Sequence, residues 1–268
     1  MKTHKKTISN QEIEIIALLK ELSLAENTLI HSVQNNILIE YEGYHIERAK
    51  WRIIKMYKEA IMPFHSIHSK RFTPGIYSFM SSNMLSNETD YRRYLLSELE
   101  RIIVINSPES ETTHLKKEIY TVAKTEIEGL IRNDIEIKDF CLLHGDLYNG
   151  NILIYDDRYS LIDFEYLRFG PSQMEWAFLL FWDTITELNN HKRKNCVNSI
   201  MQNIAELKEA GILTNTCHML IINMFLPVLL CTVLQYCENK KYENTAEILQ
   251  GISKFWRYEY CLFKERGE

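Results

Sequence analysis

Four polar residues in the stretch 141–164 have the types and the spacing of a catalytic site. The stretch reads CLLHGDLYNGNILIYDDRYSLIDF, and the four residues are His144, Asp146, Asn151 and Asp163. One carboxylate in such a set can accept the proton of an attacking hydroxyl. An amide oxygen and a second carboxylate are ligands for a hard cation such as Mg²⁺. A base beside a cation site is the arrangement that phosphoryl transfer requires.

A β-hairpin is predicted to position these groups. Two β-rich apolar runs flank the polar sequence Asp-Asp-Arg at 156–158, which is typical of a short hairpin loop. If the loop is centred on Asp157, the pairing places Asn151 opposite Asp163 at the open end of the hairpin. Asp146 comes just before the first strand. We therefore expect two carboxylates and an amide to converge at that end.

The motifs resemble those of a known family. HGDLYNGNIL resembles the H-x-D-x-x-x-x-N catalytic loop of kinases, and the later IDF resembles their metal-binding aspartate. Together with LIDFEYLRFGP, the stretch is similar to the aminoglycoside phosphotransferase/choline kinase family. The signature of that family is H-G-D-x-x-x-x-N-I-L, then I-D-F-E/D, then a G-P or D-P turn into a helix.

The resemblance implies a fold, a reaction and a role for each residue. The fold would be an α+β, protein-kinase-like fold with a largely helical C-lobe that carries the catalytic hairpin. The reaction would be ATP- and Mg²⁺-dependent transfer of a phosphoryl group to a hydroxyl of a small molecule. Asp146 would be the base, His144 would brace the loop, and Asn151 and Asp163 would hold Mg²⁺.

The segment 39–43 is the candidate hinge between two lobes. In the family, a strand of this kind ends at a backbone that meets the adenine, which would assign that role to Glu40, Tyr41 and Glu42. A plain edge strand is the alternative interpretation. The hinge divides the chain into residues 1–43, a reduced N-lobe, and residues 44–268, a kinase-like C-lobe.

The reduced N-lobe departs from the family pattern. No glycine precedes Gly43, so the glycine-containing phosphate loop of the family is not found. A helix is predicted over 9–22, and Glu12 in it matches the glutamate that pairs with a strand lysine. Lys2 is the matching lysine, with Lys5 and Lys6 as rivals, unless this stretch is a disordered basic tail. A non-catalytic pseudokinase, or the remnant of a kinase, is therefore the alternative to an enzyme.

Composition narrows the class of protein. A formal net charge of −5 and the lack of a dense basic stretch argue against a nucleic-acid binder. The longest apolar run, Met219–Leu234, is interrupted by Asn223 and Pro227 and is shorter than a membrane span of about 20 residues. No apolar run follows the basic start, so no signal peptide is predicted. Six cysteines lack metal-binding spacing, which predicts reduced thiols and a cytoplasmic location.

The rest of the chain is predicted to be mostly helical. Helices are expected at 46–62, 87–104 with Asn87 as cap, 114–130 and 174–184. Ser172 and Glu175 are predicted to form a capping box. Glu165 would support the metal site or meet a cationic acceptor, or it would pair with Arg168 on the surface. Four histidines lack ligand spacing and are predicted to be surface or partly packed residues: His65, His68, His114 and His218.

Overall fold

The computed structural model describes part of the chain in two compact units. The units are Met1–Ser86 with Asp139–Glu175, and Asn87–Lys138 with Trp176–Glu268. The described residues are 4–7, 10–24, 30–34, 37–40, 51–68, 87, 89–94, 96–97, 114, 117–118, 121, 125, 128, 140–176, 178–180 and 202–213. The lobe boundary after residue 43 stays a prediction.

A three-stranded antiparallel sheet and one helix form the first part of the first unit. Strands β1 (His4–Thr7) and β2 (Ile30–Gln34) pair on either side of β3 (Ile37–Glu40), and helix α1 (Asn10–Glu21) connects β1 to β2. The predictions of this helix and of a strand at β3 are confirmed. The stretch with the candidate lysines Lys5 and Lys6 is therefore a strand.

Helix α1 is stabilised by one apolar face and a defined end. Four apolar side chains of the helix are buried, and so is that of Leu22 just after it. The four are Ile15, Ile16, Leu18 and Leu19. The helix ends where Ser23 takes a φ of 60°, and the amide of Leu24 donates to the carbonyl of Leu19 over 2.8 Å. The amide of Ser23 donates to the carbonyl of Lys20, which completes a Schellman motif.

One helical run follows the candidate hinge. It consists of α2 (Ile53–Met56), a π-helical turn (Tyr57–Ile61) and α3 (Met62–His65). Its inward face is apolar, with Ile53, Met56, Ala60, Ile61 and Phe64 almost completely buried. The sequence places this helix at 46–62. Residues 46–50 lie outside the described part, while 51 and 52 are not helical and the helix continues three residues past Met62.

Two antiparallel strand pairs hold the stretch with the candidate site. Strand β4 (Phe140–Leu143) pairs with β7 (Arg168–Pro171), and β5 (Ile152–Tyr155) pairs with β6 (Arg158–Leu161) as a hairpin. The hairpin is confirmed, but the register predicted from a loop centred on one residue is wrong. The loop has two residues, Asp156 and Asp157, both with positive φ as a type I′ turn requires, because that turn matches the twist of the strands.

The second unit is described at fewer positions, all of them helical or in turns. Residues 89–94 and 96–97 are helical, and Asn87 is their cap, because its Oδ1 accepts the amide of Asp90 over 3.0 Å. Positions 114, 117–118, 121, 125 and 128 are helical as expected, as are 178–180. Helical residues 202–209 end before Gly211, which has a φ of 69°. Met219–Leu234 lies outside the described residues. In the described part of the chain, no helix has the length and apolar character to cross a membrane.

Candidate functional site

His144 ties the loop after β4 to the segment after β6. Its side chain is completely buried, and Nε2 lies 2.7 Å from the carbonyl oxygen of Ile162. Because a carbonyl only accepts, Nε2 carries the proton and Nδ1 faces the amide of Asp146 at 3.4 Å. The ring also packs against Phe164, with the ring centres 4.9 Å apart. The imidazole thus orients two segments of the site and is enclosed away from solvent.

Gly145 makes the sharp turn that presents Asp146. Its φ is +85°, and a Cβ atom at this position would lie 1.9 Å from the carbonyl oxygen of Tyr166. Only glycine fits such an approach. The amide of Gly145 donates to Oε1 of Glu175 over 2.8 Å, which fixes the turn from the other side.

Asp146 and Asn151 are in direct contact. The Nδ2 atom of Asn151 donates to the carbonyl oxygen of Asp146 over 2.8 Å and to its carboxylate Oδ2 over 3.1 Å. Both partners are acceptors, so the nitrogen must face Asp146 and the amide oxygen of Asn151 faces away. Asn151 is buried, which keeps this orientation.

Asp163 does not stand opposite Asn151 as predicted. In the two-residue loop register, the backbone partner of Asn151 is Ile162, whose amide donates to the Asn151 carbonyl over 3.1 Å. Strand β6 ends at Leu161, and Asp163 follows in the left-handed region with a φ of 63°. The one-residue error arises because the sequence assigns Arg158 to the loop, whereas Arg158 is the first residue of β6.

The carboxyl of Asp146 has a raised pKa. Burial is the largest cause, because it disfavours the charged form, and the negative charges of Asp163 and Glu175 act in the same direction. His144 and the hydrogen bond from Asn151 act in the opposite direction. A carboxylate with a raised pKa is a better proton acceptor, which suits Asp146 to the role of a base.

The chemistry of these groups fits Mg²⁺. Two carboxylates and an amide oxygen are hard oxygen ligands, and a divalent cation would offset the negative charge of Asp163, which acts to raise the pKa of Asp146. Among the described residues, no group of three His, Cys, Asp or Glu side chains forms a protein-only metal cage. Mg²⁺ seldom uses such a cage, because it keeps waters and phosphate oxygens in its coordination shell.

The predicted nucleotide-binding residues are placed in part. Glu40 is the last residue of β3, with His4 and Ile30 as its partners on the two sides. Glu12 is the third residue of α1. Tyr41, Glu42 and Lys2 lie outside the described residues. Of the two rival lysines, Lys5 pairs with Ile39 and Lys6 with Leu38.

Sequence reasoning missed the contact between His65 and Glu175. The Nε2 atom of His65 lies 3.7 Å from Oε2 of Glu175, and both side chains are buried. The capping box predicted for Glu175 with Ser172 is wrong, because Oε1 accepts from Gly145 and Oε2 makes no hydrogen bond within the described chain. No local pattern could indicate this pair, because its members are far apart in the sequence.

The described elements have a kinase-like fold, and comparison with solved structures shows the same fold. An aminoglycoside phosphotransferase from Alicyclobacillus acidocaldarius subsp. acidocaldarius matches with a TM-score of 0.55 at 10% identity, covering 99% of this chain and 86% of that one. An amicoumacin kinase in complex with AMP-PNP, Ca²⁺ and Ami has a TM-score of 0.58 at 11% identity, covering 92% and 77%. A choline/ethanolamine kinase family protein from Mesorhizobium loti has a TM-score of 0.53 at 13% identity, covering 96% and 79%.

The sequence itself also matches a family. Residues 85–203 match the family model described as APH, the phosphotransferase enzyme family. No curated protein sequence matches the chain. The resemblance and the α+β kinase-like fold predicted from the motifs are thus confirmed. The comparisons support a phosphotransferase of the kinase-like type.

Proposed function

We propose that the protein catalyses ATP- and Mg²⁺-dependent transfer of a phosphoryl group to a hydroxyl of a small molecule. The observation that carries the proposal is the contact between Asp146 and Asn151 in a loop whose turn is fixed at Gly145. A base and a metal ligand joined in this way are the working parts of a phosphoryl-transfer site.

Each residue of the site has a role in this proposal. Asp146 accepts the proton of the acceptor hydroxyl, for which its raised pKa suits it. His144 holds the loop against the segment that carries Asp163. Asn151 and Asp163 would hold Mg²⁺, which when bound neutralises charge on the phosphates. The remaining catalysis is positioning of the two substrates by the folded loop.

The nucleotide would lie between this loop and the β1–β3 sheet. The backbone of Glu40, Tyr41 and Glu42 would meet the adenine. Glu12 would pair with a lysine that contacts the phosphates, and Lys2 remains a candidate beside Lys5 and Lys6 of β1. A reduced N-lobe stays a prediction.

The acceptor is proposed only as a small hydroxylated molecule. Glu165 is exposed two residues after Asp163, which leaves its carboxylate accessible to a cationic acceptor. The cysteine pattern supports the cytoplasmic location that we propose. The non-catalytic pseudokinase is the alternative that the following experiment distinguishes.

The first prediction tests the base. Asp146→Ala should lower turnover about 10²–10⁴-fold, because a general base contributes a factor of that size. The KM for ATP should change little, because this carboxylate addresses the acceptor and not the nucleotide. The measurement is transfer of the γ-phosphoryl group from ATP to a panel of hydroxylated amines and sugars.

Asp157→Ala is the matched control for this prediction. Asp157 is an aspartate at the exposed tip of the hairpin that follows Asp146, where it pairs with Arg52 and Lys55. It should leave turnover unchanged. Equal turnover by wild type and Asp146→Ala would refute the assignment of the base. A wild type that transfers phosphate to no member of the panel would favour the pseudokinase.

A further inference from the structure

A buried contact between a histidine and a carboxylate lies directly behind the catalytic loop. Oε2 of Glu175 faces Nε2 of His65 at 3.7 Å, and the two side chains are exposed by only 2% and 8%. The other oxygen of the same carboxylate accepts the amide of Gly145 over 2.8 Å. Glu175 therefore connects a histidine at the end of α3 with the backbone of the loop.

The carboxylate of Glu175 needs a partner to stay charged. Burial by itself raises the pKa of a carboxyl, but the contact with His65, the nearby His144 and the Gly145 amide outweigh burial and hold the pKa of Glu175 below its ordinary value. A charged carboxylate accepts a stronger hydrogen bond than a neutral carboxylic acid does. The strength of the bond to Gly145 thus depends on the imidazole behind it.

The hydrogen bond to Gly145 matters because the backbone of this turn is tightly constrained. The left-handed φ of Gly145 and its close approach to the carbonyl of Tyr166 leave one conformation for the chain. Asp146 is the next residue, and its own carbonyl binds Asn151. A shift of the Gly145 amide would therefore move the base and a metal ligand together.

We propose that His65 is a positioning residue for the phosphoryl-transfer site, acting through the Glu175 carboxylate to hold the Gly145 turn and thereby Asp146. The expected effect on catalysis rests on the proposed function. The contacts of Glu175 with His65 and Gly145 are independent of it. Among the described residues, the other titratable groups around the pair are three. The ring of Tyr57 meets that of His65 edge to face, His144 acts to lower the pKa of Glu175, and Asp146 has its own pKa raised by Glu175.

The first test separates positioning from folding. His65→Leu should lower kcat about 10²-fold, the loss expected for a displacement of about 1 Å at the reacting groups. The KM for ATP should change by less than about threefold, because the nucleotide contacts are elsewhere. His65→Gln keeps a nitrogen donor toward Glu175 and should recover at least about tenfold of the lost kcat. An unchanged kcat in His65→Leu would overturn the proposal.

His68→Leu is the matched control. His68 is exposed and lies three residues further along, and its Nδ1 lies 3.2 Å from the backbone carbonyl oxygen of Phe140. It should retain the wild-type kcat. An equal loss in His68→Leu and His65→Leu would show that the effect does not depend on the buried pair.

A double variant tests whether His65 acts through Glu175. Glu175→Gln keeps an acceptor for the Gly145 amide but removes the charge. If His65 acts through that charge, the kcat of His65→Leu/Glu175→Gln should equal that of Glu175→Gln within about twofold. Losses that multiply would show that His65 acts by packing alone, and the proposal would fail.

Hydrogen exchange provides a readout without catalysis. In folded His65→Leu, the Gly145 amide should exchange at least about tenfold faster relative to the Ile162 amide, which binds the Asn151 carbonyl and serves as internal reference. An unchanged ratio would overturn the anchoring role.

If wild type shows no phosphoryl transfer, the proposed function fails and this exchange ratio alone tests the role of His65. If His65→Leu does not fold, the same ratio is measured in His65→Gln, where a rise of about twofold or more supports the proposal and no rise refutes it.

Discussion

At Gly145, a left-handed φ of +85° coincides with a backbone carbonyl that lies where a side chain would begin. Gly145→Ala should therefore destabilise the fold by more than about 4 kcal/mol, a loss that few single substitutions cause. The conformational strain of a non-glycine residue contributes part of that cost, and displacement of the Tyr166 carbonyl contributes the rest. The measurement is urea unfolding at neutral pH.

Gly211 provides the control for Gly145. Its φ is also positive, at 69°, but a Cβ there meets no atom within 4 Å. Gly211→Ala should cost only the left-handed strain, about 1–2 kcal/mol. A loss of similar size in both variants would mean that the carbonyl of Tyr166 does not constrain the loop.

Glu175 makes the stability of the fold depend on pH. Its folded pKa lies below its ordinary value of 4.5, because contacts with His65 and Gly145 outweigh the burial that would raise it. The unfolded state then binds more protons in the window below 4.5. The stabilisation is present above that pH and is lost as the pH falls through the folded pKa, with a slope of up to about 1.4 kcal/mol per pH unit.

Urea unfolding of wild type and Glu175→Gln between neutral pH and the acid limit measures this contribution. Wild type should be the more stable at neutral pH, and the difference should shrink below pH 4.5, since glutamine has no proton to gain. If the free energies of unfolding of the two proteins differ by the same amount at every pH, the Glu175 carboxylate does not contribute to the pH dependence of stability.

On the scale of elements, the helical run 53–65, with Arg52 just before it, contacts the site and its hairpin at three places. At one end, Arg52 and Lys55 pair with Asp157 at the hairpin tip. At the middle, Oε2 of Glu59 accepts the amide of Tyr159 in β6 over 3.0 Å. At the other end, the rings of Phe64 and Phe164 stack, and His65 meets Glu175. The π-helical turn lies between these contacts, a position often found near functional sites.

The stack of Phe64 on Phe164 should be the most costly contact of this helix to remove. Phe64 is completely buried, and the ring centres are 5.6 Å apart with an interplanar angle of 10°. Phe64→Ala should lower the free energy of unfolding by about 3–5 kcal/mol, through lost burial and the cavity left behind. Met62→Ala is the control from the same helix. Met62 is 44% exposed and should cost within about 0.5 kcal/mol. Similar losses in both would contradict the bracing role of the stack.

The elements show which features local sequence can predict. Helix α1, strand β3 and the Asn87 cap follow from apolar spacing and cap chemistry within a few residues, and each is confirmed. The hairpin was predictable, but its register was not, because Arg158 fits a polar loop as well as a strand end. In the structure the loop is a two-residue turn in which both residues have positive φ, and this places Arg158 at the start of the strand.

The candidate site divides in the same way. The residues of the HGDLYNGNIL motif are neighbours in sequence, so their proximity could be predicted. The contacts that hold them come from elsewhere: His65 and Glu175 lie in separate elements and have no motif. Hydrophobic periodicity places a histidine on a helix but gives no information on which distant carboxylate packs against it. For that reason the sequence predicts a partly packed His65 and a capping role for Glu175.

On the scale of the whole molecule, a ligand that binds only the folded state must raise its stability. At a concentration of about 100 times the dissociation constant, that gain is roughly 2.7 kcal/mol. Mg²⁺ with ATP should therefore raise the melting temperature of wild type. Asp163→Asn should remove most of the rise, because Asp163 is the proposed carboxylate ligand of the cation. Asp146→Ala should keep it, because Asp146 addresses the acceptor.

Asp157→Asn completes this comparison, since it neutralises an aspartate at the exposed hairpin tip, away from the base and the metal ligands. Mg²⁺ with ATP should raise its melting temperature as much as that of wild type, and ATP without Mg²⁺ should produce a smaller rise in every variant.

If Asp163→Asn retains the full rise with Mg²⁺ and ATP, the cation is held elsewhere and the metal assignment is wrong. If wild type shows no shift at millimolar Mg²⁺ and ATP while unfolding cooperatively, the nucleotide site proposed between β3 and the catalytic loop does not exist. A shift that requires both Mg²⁺ and Asp163 would place the cation between the nucleotide and the hairpin, which is where transfer to a hydroxyl beside Asp146 needs it.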